Sequence, residues 1–331
     1  MEFPSLSLLL LLLPFFSLPS PTQSKLSPDY YNKTCPSFFS IMEKVVFDKQ
    51  MSAPTTAAGT LRIFFHDCMV GGCDASILIA SNAFNKGERD ADINLSLPGD
   101  AFDLVTRAKT AIELECPGIV SCSDILAVAT RNLITMVGGP RYDIRLGRKD
   151  SLVSLISNVN GHLATAEMSV DQIIPLFAAN GFSIQEMVAL MGAHTIGFSH
   201  CKEFADRLFN FSKTSETDPA YDPAFAIGLK KLCANYTANL ELAAFNDVIT
   251  PGKFDNMYFK NLQRGLGLLK VDNDLVVDKR TKPFVTLYAA DQKAFFEAFS
   301  HAMEKVSVYK VKTGKKGEVR RRCDQFNNIN T

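Results

Sequence analysis

A chain of 331 residues that is 47% hydrophobic can bury a large core, and 35 Lys and Arg against 35 Asp and Glu leave it with no net charge. That balance argues against a nucleic-acid binder with a basic surface, and no stretch interleaves basic clusters with aromatic residues. Apart from one short run near the start, no apolar stretch is long enough to span a membrane.

That run, LSLLLLLLPFFSL, precedes small and polar residues and predicts a secretory signal peptide over 1–24, although no Lys or Arg stands before it. One domain is expected over 25–331. Eight cysteines behind a signal peptide imply oxidised pairs, with the connectivity open at this point. Zinc fits poorly, because no CxxC pair occurs. Asn-X-Ser/Thr acceptors stand at Asn32, Asn94, Asn210 and Asn235.

Taken in order, LRIFFHDCMVGGCDAS (61–76) opens as a helix with Arg62 and His66 one turn apart, then turns through Gly71-Gly72 between Cys68 and Cys73. Helical spacing follows in 102–115 and 121–138, where Ser121 and Asp124 form a start signal. YDIRLG (142–147) is the best strand candidate. Further helices are predicted over 169–181 and 183–194, the second with Ser183 and Glu186 as a capping box, and two more over 278–306. There is no internal repeat or long linker, so the chain reads as a mostly α protein folding as one unit.

Positions i and i+4 share a helix face, so Arg62 and His66 project side by side, with Phe64 and Phe65 as apolar walls. A histidine near neutrality moves a proton, and a fixed guanidinium steadies developing negative charge. The pair suits cleavage of a peroxide O–O bond; the plainer reading is a surface Arg beside a core His. His194, ending MVALMGAHTIGFSHC, reads equally as a structural histidine or as the axial ligand of a haem iron. Two oxygen-rich loops, one with Asp67, Asp74 and Ser76, the other with Asp247, Thr250 and Asp255 near Thr195, read as calcium cages or as solvated turns.

Together these segments resemble the secretory plant (class III) haem peroxidases. LRIFFHDCMVGGCDAS is similar to the distal motif and MVALMGAHTIGFSHC to the proximal motif. CPGIVSCSDIL, GGPRYDIRLGRKDS, FDNMYFKNL and GEVRRRC follow in the family's order, over essentially the whole chain from about Ser27. The resemblance implies the all-α haem peroxidase fold, with haem b between two helical halves. It implies His66 as acid–base, Arg62 as charge stabiliser and Phe65 as pocket wall. Asn94 is implied as the acceptor that orients His66, with Glu88 as the acid behind it. His194 is implied as iron ligand and Asp272 as the carboxylate on its far nitrogen. One calcium would take Asp67, Val70 (carbonyl), Gly72 (carbonyl), Asp74 and Ser76; a second would take Thr195, Asp247, Thr250, Lys253 (carbonyl) and Asp255. The implied disulfides are Cys35–Cys116, Cys68–Cys73, Cys122–Cys323 and Cys201–Cys233.

Some positions depart from the family pattern. Ala164, in GHLATAEMS, stands where a proline usually lines the donor site. Met69 replaces a usual phenylalanine, Leu97–Asp100 carries an extra residue, and Tyr142 stands where tryptophan is frequent. With no tryptophan in the chain, an electron route through a tryptophan radical is excluded.

The basic run Lys310 to Arg322 reads first as a solvated face, and secondly as a site for acidic cell-wall polymers. His162, His200 and His301 read as surface or helix-end residues, with His200 close enough to His194 to approach a haem propionate. The expectation is a secreted monomeric haem peroxidase of the extracellular space (apoplast or cell wall). It would reduce hydrogen peroxide to water while oxidising phenolic and other small donors in one-electron steps. A haem or calcium binder with little turnover is the rival, disfavoured because such a protein has no need of Arg62, His66 and Asn94. A Cys–His hydrolase is disfavoured because an even set of paired cysteines leaves no thiol nucleophile.

Overall fold

The computed structural model describes residues 26–327; the signal peptide expected over 1–24 lies outside the described residues. Regular structure among them is twelve α-helices and one two-stranded antiparallel ribbon. The first half holds α1 (Phe38–Ser52), α2 (Thr56–Val70), α3 (Gly99–Glu115) and α4 (Cys122–Met136). Then come α5 (Val170–Ala179), α6 (Ile184–Met191), a 3-10 turn over Gly192–Thr195, and β1 (Phe198–His200). The second half continues through α7 (Ala205–Phe209), α8 (Pro223–Leu232), β2 (Ala243–Phe245), α9 (Met257–Leu262), α10 (Lys270–Val277), α11 (Lys282–Ala290) and α12 (Gln292–Ser307).

The helix starts follow the chemistry read from the sequence. The Ser121 hydroxyl accepts from the Asp124 N–H, and Ser183 with Glu186 forms a full capping box. α3 begins three residues ahead of the predicted 102, because Pro98 sets an extended entry and Asp100 in the first turn accepts from Thr56 Oγ1 at 2.7 Å. That bond ties the starts of α2 and α3 together. α2 is buried on nearly every side, against α1, α3, α4 and α12, its polar Thr56, Thr60, His66 and Asp67 included.

The strand expected at 142–147 does not form. Tyr142, Ile144 and Leu146 are buried and alternate with exposed neighbours, so the period-two pattern is real. Only Leu146 finds a backbone partner, Ser27, so the segment packs on the core as an extended strap. The observed strands are β1 and β2, paired Phe198 to Phe245 and His200 to Ala243.

All four disulfides join the cysteines that the resemblance implied, and none is free among the described residues. Each typically contributes about 2–4 kcal/mol by constraining the unfolded chain. The basic run 310–322 is solvated only in part. Arg320 is fully buried and donates to the carbonyls of Ala75, Ser151 and Cys323, clamping the C-terminal strap beside the Cys122–Cys323 bridge.

Candidate active site

α2 carries one side of the site. Its Gly59 lies so close to the next segment that a Cβ there would meet Pro98 Cγ at 2.3 Å. One turn on, Arg62 is held by that same segment: Nη1 donates to Ser96 Oγ at 3.0 Å and Nη2 to the Ile93 carbonyl at 3.0 Å. Its Nε points at His66 Nε2, 3.4 Å away. Asn94 Nδ2 donates to the Glu88 carbonyl at 2.8 Å, which leaves Asn94 Oδ1 as an acceptor, so His66 Nδ1 must be the donor across 2.6 Å. The lone pair of His66 therefore lies on Nε2, the nitrogen facing Arg62. Burial, then the Arg62 charge, push the imidazole down to about 3 against the pull of Asn94, so it is neutral and proton-accepting at ordinary pH. Phe65 stacks on Phe177 of α5, centroids 6.1 Å apart, and forms an apolar wall beside His66.

Glu88 stands behind Asn94 as expected, but the contact runs through its backbone carbonyl. Its carboxylate accepts from Ser76 Oγ at 2.8 Å, and burial pushes it up to about 7. Asn94 is buried, which removes it as a glycan acceptor, whereas Asn32, Asn210 and Asn235 are exposed.

The 3-10 turn after α6 carries His194. Its Nδ1 meets Asp272 Oδ1 of α10 at 2.9 Å, and the same oxygen accepts from Tyr258 Oη of α9 at 2.9 Å. Burial and Arg62 disfavour a charged His194, but the Asp272 carboxylate outweighs them and raises its proton affinity, which also makes it a stronger donor to a metal. The His194 side chain keeps 36% of its surface although Gly192, Thr195, Asp272 and Tyr258 around it are buried. The charge of Arg62 lowers the proton affinity of both His66 and His194. Nearby on β1, His200 keeps a buried Nδ1 with no hydrogen-bond partner. This donor set would suit a haem: an imidazole anchored by a carboxylate, an apolar wall, and a second imidazole with an unpaired nitrogen.

A family model described as Peroxidase matches residues 42–291. Peroxidase 6 of Arabidopsis thaliana is 62% identical over 312 residues, spanning 94% of this chain and 95% of the relative. Peroxidase 65 of the same plant is 62% identical over 92% of this chain and 90% of its own, and Peroxidase 41 is 59% identical over 95% and 94%. The chain belongs to the class III haem peroxidases of plants. It is therefore an oxidoreductase that takes hydrogen peroxide and a donor, with haem as cofactor, on the mostly helical peroxidase fold.

In the peroxidase each oxygen-rich loop forms its own cluster, with Asp67, Asp74 and Ser76 buried in the first and Asp247, Asp255 and Thr195 in the second. Asp67 accepts from the N–H groups of Asp74, Ala75 and Ile77, and Asp74 from that of Ser76. Burial first, then the neighbouring Asp74 and Glu88, push the Asp67 carboxyl well above its usual range, against the pull of the Ala75 and Ile77 N–H groups. Val70 and Gly72 lie on the same loop, with Gly72 at φ +114°. On the other side, Thr250 Oγ1 bonds Asp247 and Asp255 at 3.0 and 3.2 Å, and Thr195 Oγ1 approaches Asp247 at 3.4 Å. Lys253 adds an ammonium 3.2 Å from Asp255. Among the described residues, no three His, Cys, Asp or Glu side chains form a metal-holding group; each cage read from the sequence relies on two carboxylates, with hydroxyls and carbonyls.

Ala164 is half-buried against the core, in a segment that the Val271 N–H to Ala166 carbonyl bond ties to α10, the helix of Asp272. Sequence reasoning missed Ser96, Ile93 and Tyr258, which hold Arg62 and Asp272. Helical spacing locates a pair on one helix, but carries no signal for a partner from another segment.

Proposed function

We propose that this peroxidase is a secreted enzyme that oxidises phenolic and other small donors by one-electron steps, with Arg62 and His66 cleaving the O–O bond. The observation that carries the reading is the chain Glu88 carbonyl–Asn94–His66–Arg62, together with the separate pair of His194 and Asp272. Haem, which His194 would ligate, would give up the two electrons that reduce the peroxide and so hold the two oxidising equivalents that no side chain can store. His66 Nε2 takes the proton from the inner oxygen of hydrogen peroxide and returns it to the outer oxygen, which leaves as water. Arg62 steadies the charge that develops on the departing oxygen. Asn94 fixes the tautomer, so that the accepting nitrogen is the one facing the peroxide. Asp272, itself steadied by Tyr258, holds the far nitrogen of His194 and lends the ring imidazolate character. Two donor molecules then each give one electron and one proton, and a second water forms.

Two calcium ions are proposed in the cages of Asp67, Val70, Gly72, Asp74 and Ser76, and of Thr195, Asp247, Thr250, Lys253 and Asp255. Support comes from the crowded buried carboxylates on the first loop and the converging oxygens on the second. Secretion to the cell wall is supported by four disulfides and three exposed sequons. Ala164 is proposed to border the donor site, and the chain to act as a monomer.

The test is turnover of a small phenol by the purified holoenzyme with hydrogen peroxide, alongside a metal analysis. Phenoxyl-coupled product and two calcium per chain are expected. A protein that consumes peroxide yet leaves phenols untouched would overturn the donor assignment.

A further inference from the structure

Three buried carboxylates, Asp67, Asp74 and Glu88, are linked in turn beside the Cys68–Cys73 loop, Asp74 by its N–H to Asp67 and Ser76 to both Asp74 and Glu88, each carboxylate residue 2% exposed or less. One cation reaches them from the far end of the chain. The Lys312 ammonium pairs with Asp74 Oδ2, and its charge also acts on Glu88. Nor is Lys312 a loose arm. The Lys149 N–H donates to its carbonyl at 2.8 Å, and the Cys73 N–H donates to the Tyr309 carbonyl at 3.1 Å. Gly72, at φ +114°, lets the strap lie so close that a Cβ would meet the Lys310 carbonyl at 2.4 Å. The strap 309–312 is thus laid along the loop, with its ammonium fixed beside a carboxylate assigned above to calcium.

We infer that Lys312 is a built-in counter-ion of this loop, which weakens calcium binding there and stands in for the ion when it leaves. The inference rests on the calcium reading proposed above. With calcium bound, a unit positive charge and a dication share Asp74 and repel each other. With calcium gone, Lys312 still pairs with Asp74 among these buried carboxylates, where an uncompensated charge is costly. What it preserves lies one step away. Ser76 bonds the Glu88 carboxylate at 2.8 Å, the Glu88 carbonyl holds Asn94, and Asn94 holds His66. Lys312 is therefore a positioning residue, acting on the peroxide site through the loop and touching none of the reacting atoms.

The experiment uses the holoenzyme as wild type, Lys312→Met and Lys312→Arg. Calcium affinity is read by competition with a chromophoric chelator, and thermal unfolding by circular dichroism in calcium and after stripping. A unit charge acting on a dication across one carboxylate is worth about tenfold in affinity even with water-like screening. Lys312→Met should therefore hold one of its two calcium equivalents about tenfold more tightly, and once stripped should lose more thermal stability than stripped wild type. Lys312→Arg, which keeps the charge, should follow wild type in both readouts. If Lys312→Met does not fold, Lys312→Gln repeats the comparison. Equal calcium affinity and equal loss on stripping in wild type and Lys312→Met would overturn the inference while leaving the calcium assignment intact. Wild type with no bound calcium and no response to chelator would overturn the calcium reading and this inference with it.

Discussion

Asn94 is where the account of the proton path can be pressed hardest. Asn94→Leu keeps the shape of the side chain and removes two buried hydrogen bonds, one to His66 at 2.6 Å and one to the Glu88 carbonyl at 2.8 Å. Each partner left unpaired costs about 1–3 kcal/mol, so stability should fall by about 2–6 kcal/mol. The catalytic effect has a separate signature. Without an acceptor at Nδ1, His66 is free to change tautomer, and the rate of peroxide cleavage should fall about 10- to 100-fold, or about 1.4–2.8 kcal/mol. The acid limb should also move. Burial and Arg62 hold His66 at about 3, and the bond to Asn94 works in the opposite direction. Its loss therefore shifts the limb to lower pH while the plateau falls, whereas Asn94→Asp, with a carboxylate acceptor, shifts the limb upward. The assay is stopped-flow mixing with hydrogen peroxide, followed at the Soret band as a function of pH. An unchanged plateau, or a limb that rises in Asn94→Leu, would refute the reasoning.

Other perturbations test separate parts of the molecule. Tyr258→Phe removes the hydroxyl that donates to Asp272, leaving more electron density on the His194 pair. Loss of about 1 kcal/mol corresponds to a haem potential more negative by about 40 mV, measurable by spectroelectrochemistry. Arg148 and Asp124 form an ion pair in which neither side chain is exposed. Arg148→Met should cost about 3–5 kcal/mol by stranding Asp124, read as a lower melting temperature. Folded His66 takes up a proton at about 3, but the ordinary value is 6.5, so the unfolded chain binds the proton first as pH falls. The stability His66 contributes is thus present above 6.5 and lost progressively below it. The drop in melting temperature between about pH 7 and pH 4 should accordingly be smaller in His66→Ala than in wild type.

How much of this was legible beforehand depends on distance along the chain. The i,i+4 spacing of Arg62 and His66, the caps at Ser121 and Ser183, and the closed Cys68–Cys73 loop are local, and helical geometry alone makes them readable. The extended strap at Tyr142–Leu146 misled, because burial on alternate residues looks the same whether the neighbour is a strand or a helix. The C-terminal run misled differently. Charge pattern predicts solvation, but Arg320 finds three carbonyls from distant segments and is buried whole. The pairing of His66 with Asn94 and of His194 with Asp272 spans 28 and 78 residues, and followed only from the family resemblance. Tyr258, Ser96 and Lys312 show what remains when neither spacing nor motif points to a partner.

On the proposed mechanism His66, neutral and oriented by Asn94, moves the proton in a site whose haem His194 would hold. The most direct measurement is the rate at which one equivalent of hydrogen peroxide changes the Soret band in wild type and in His66→Ala. Both proteins should carry a ferric Soret band, wild type should respond rapidly, and the variant should be slower by about a hundred- to ten-thousand-fold or more. A His66→Ala protein that keeps its haem and responds at the wild-type rate would contradict it.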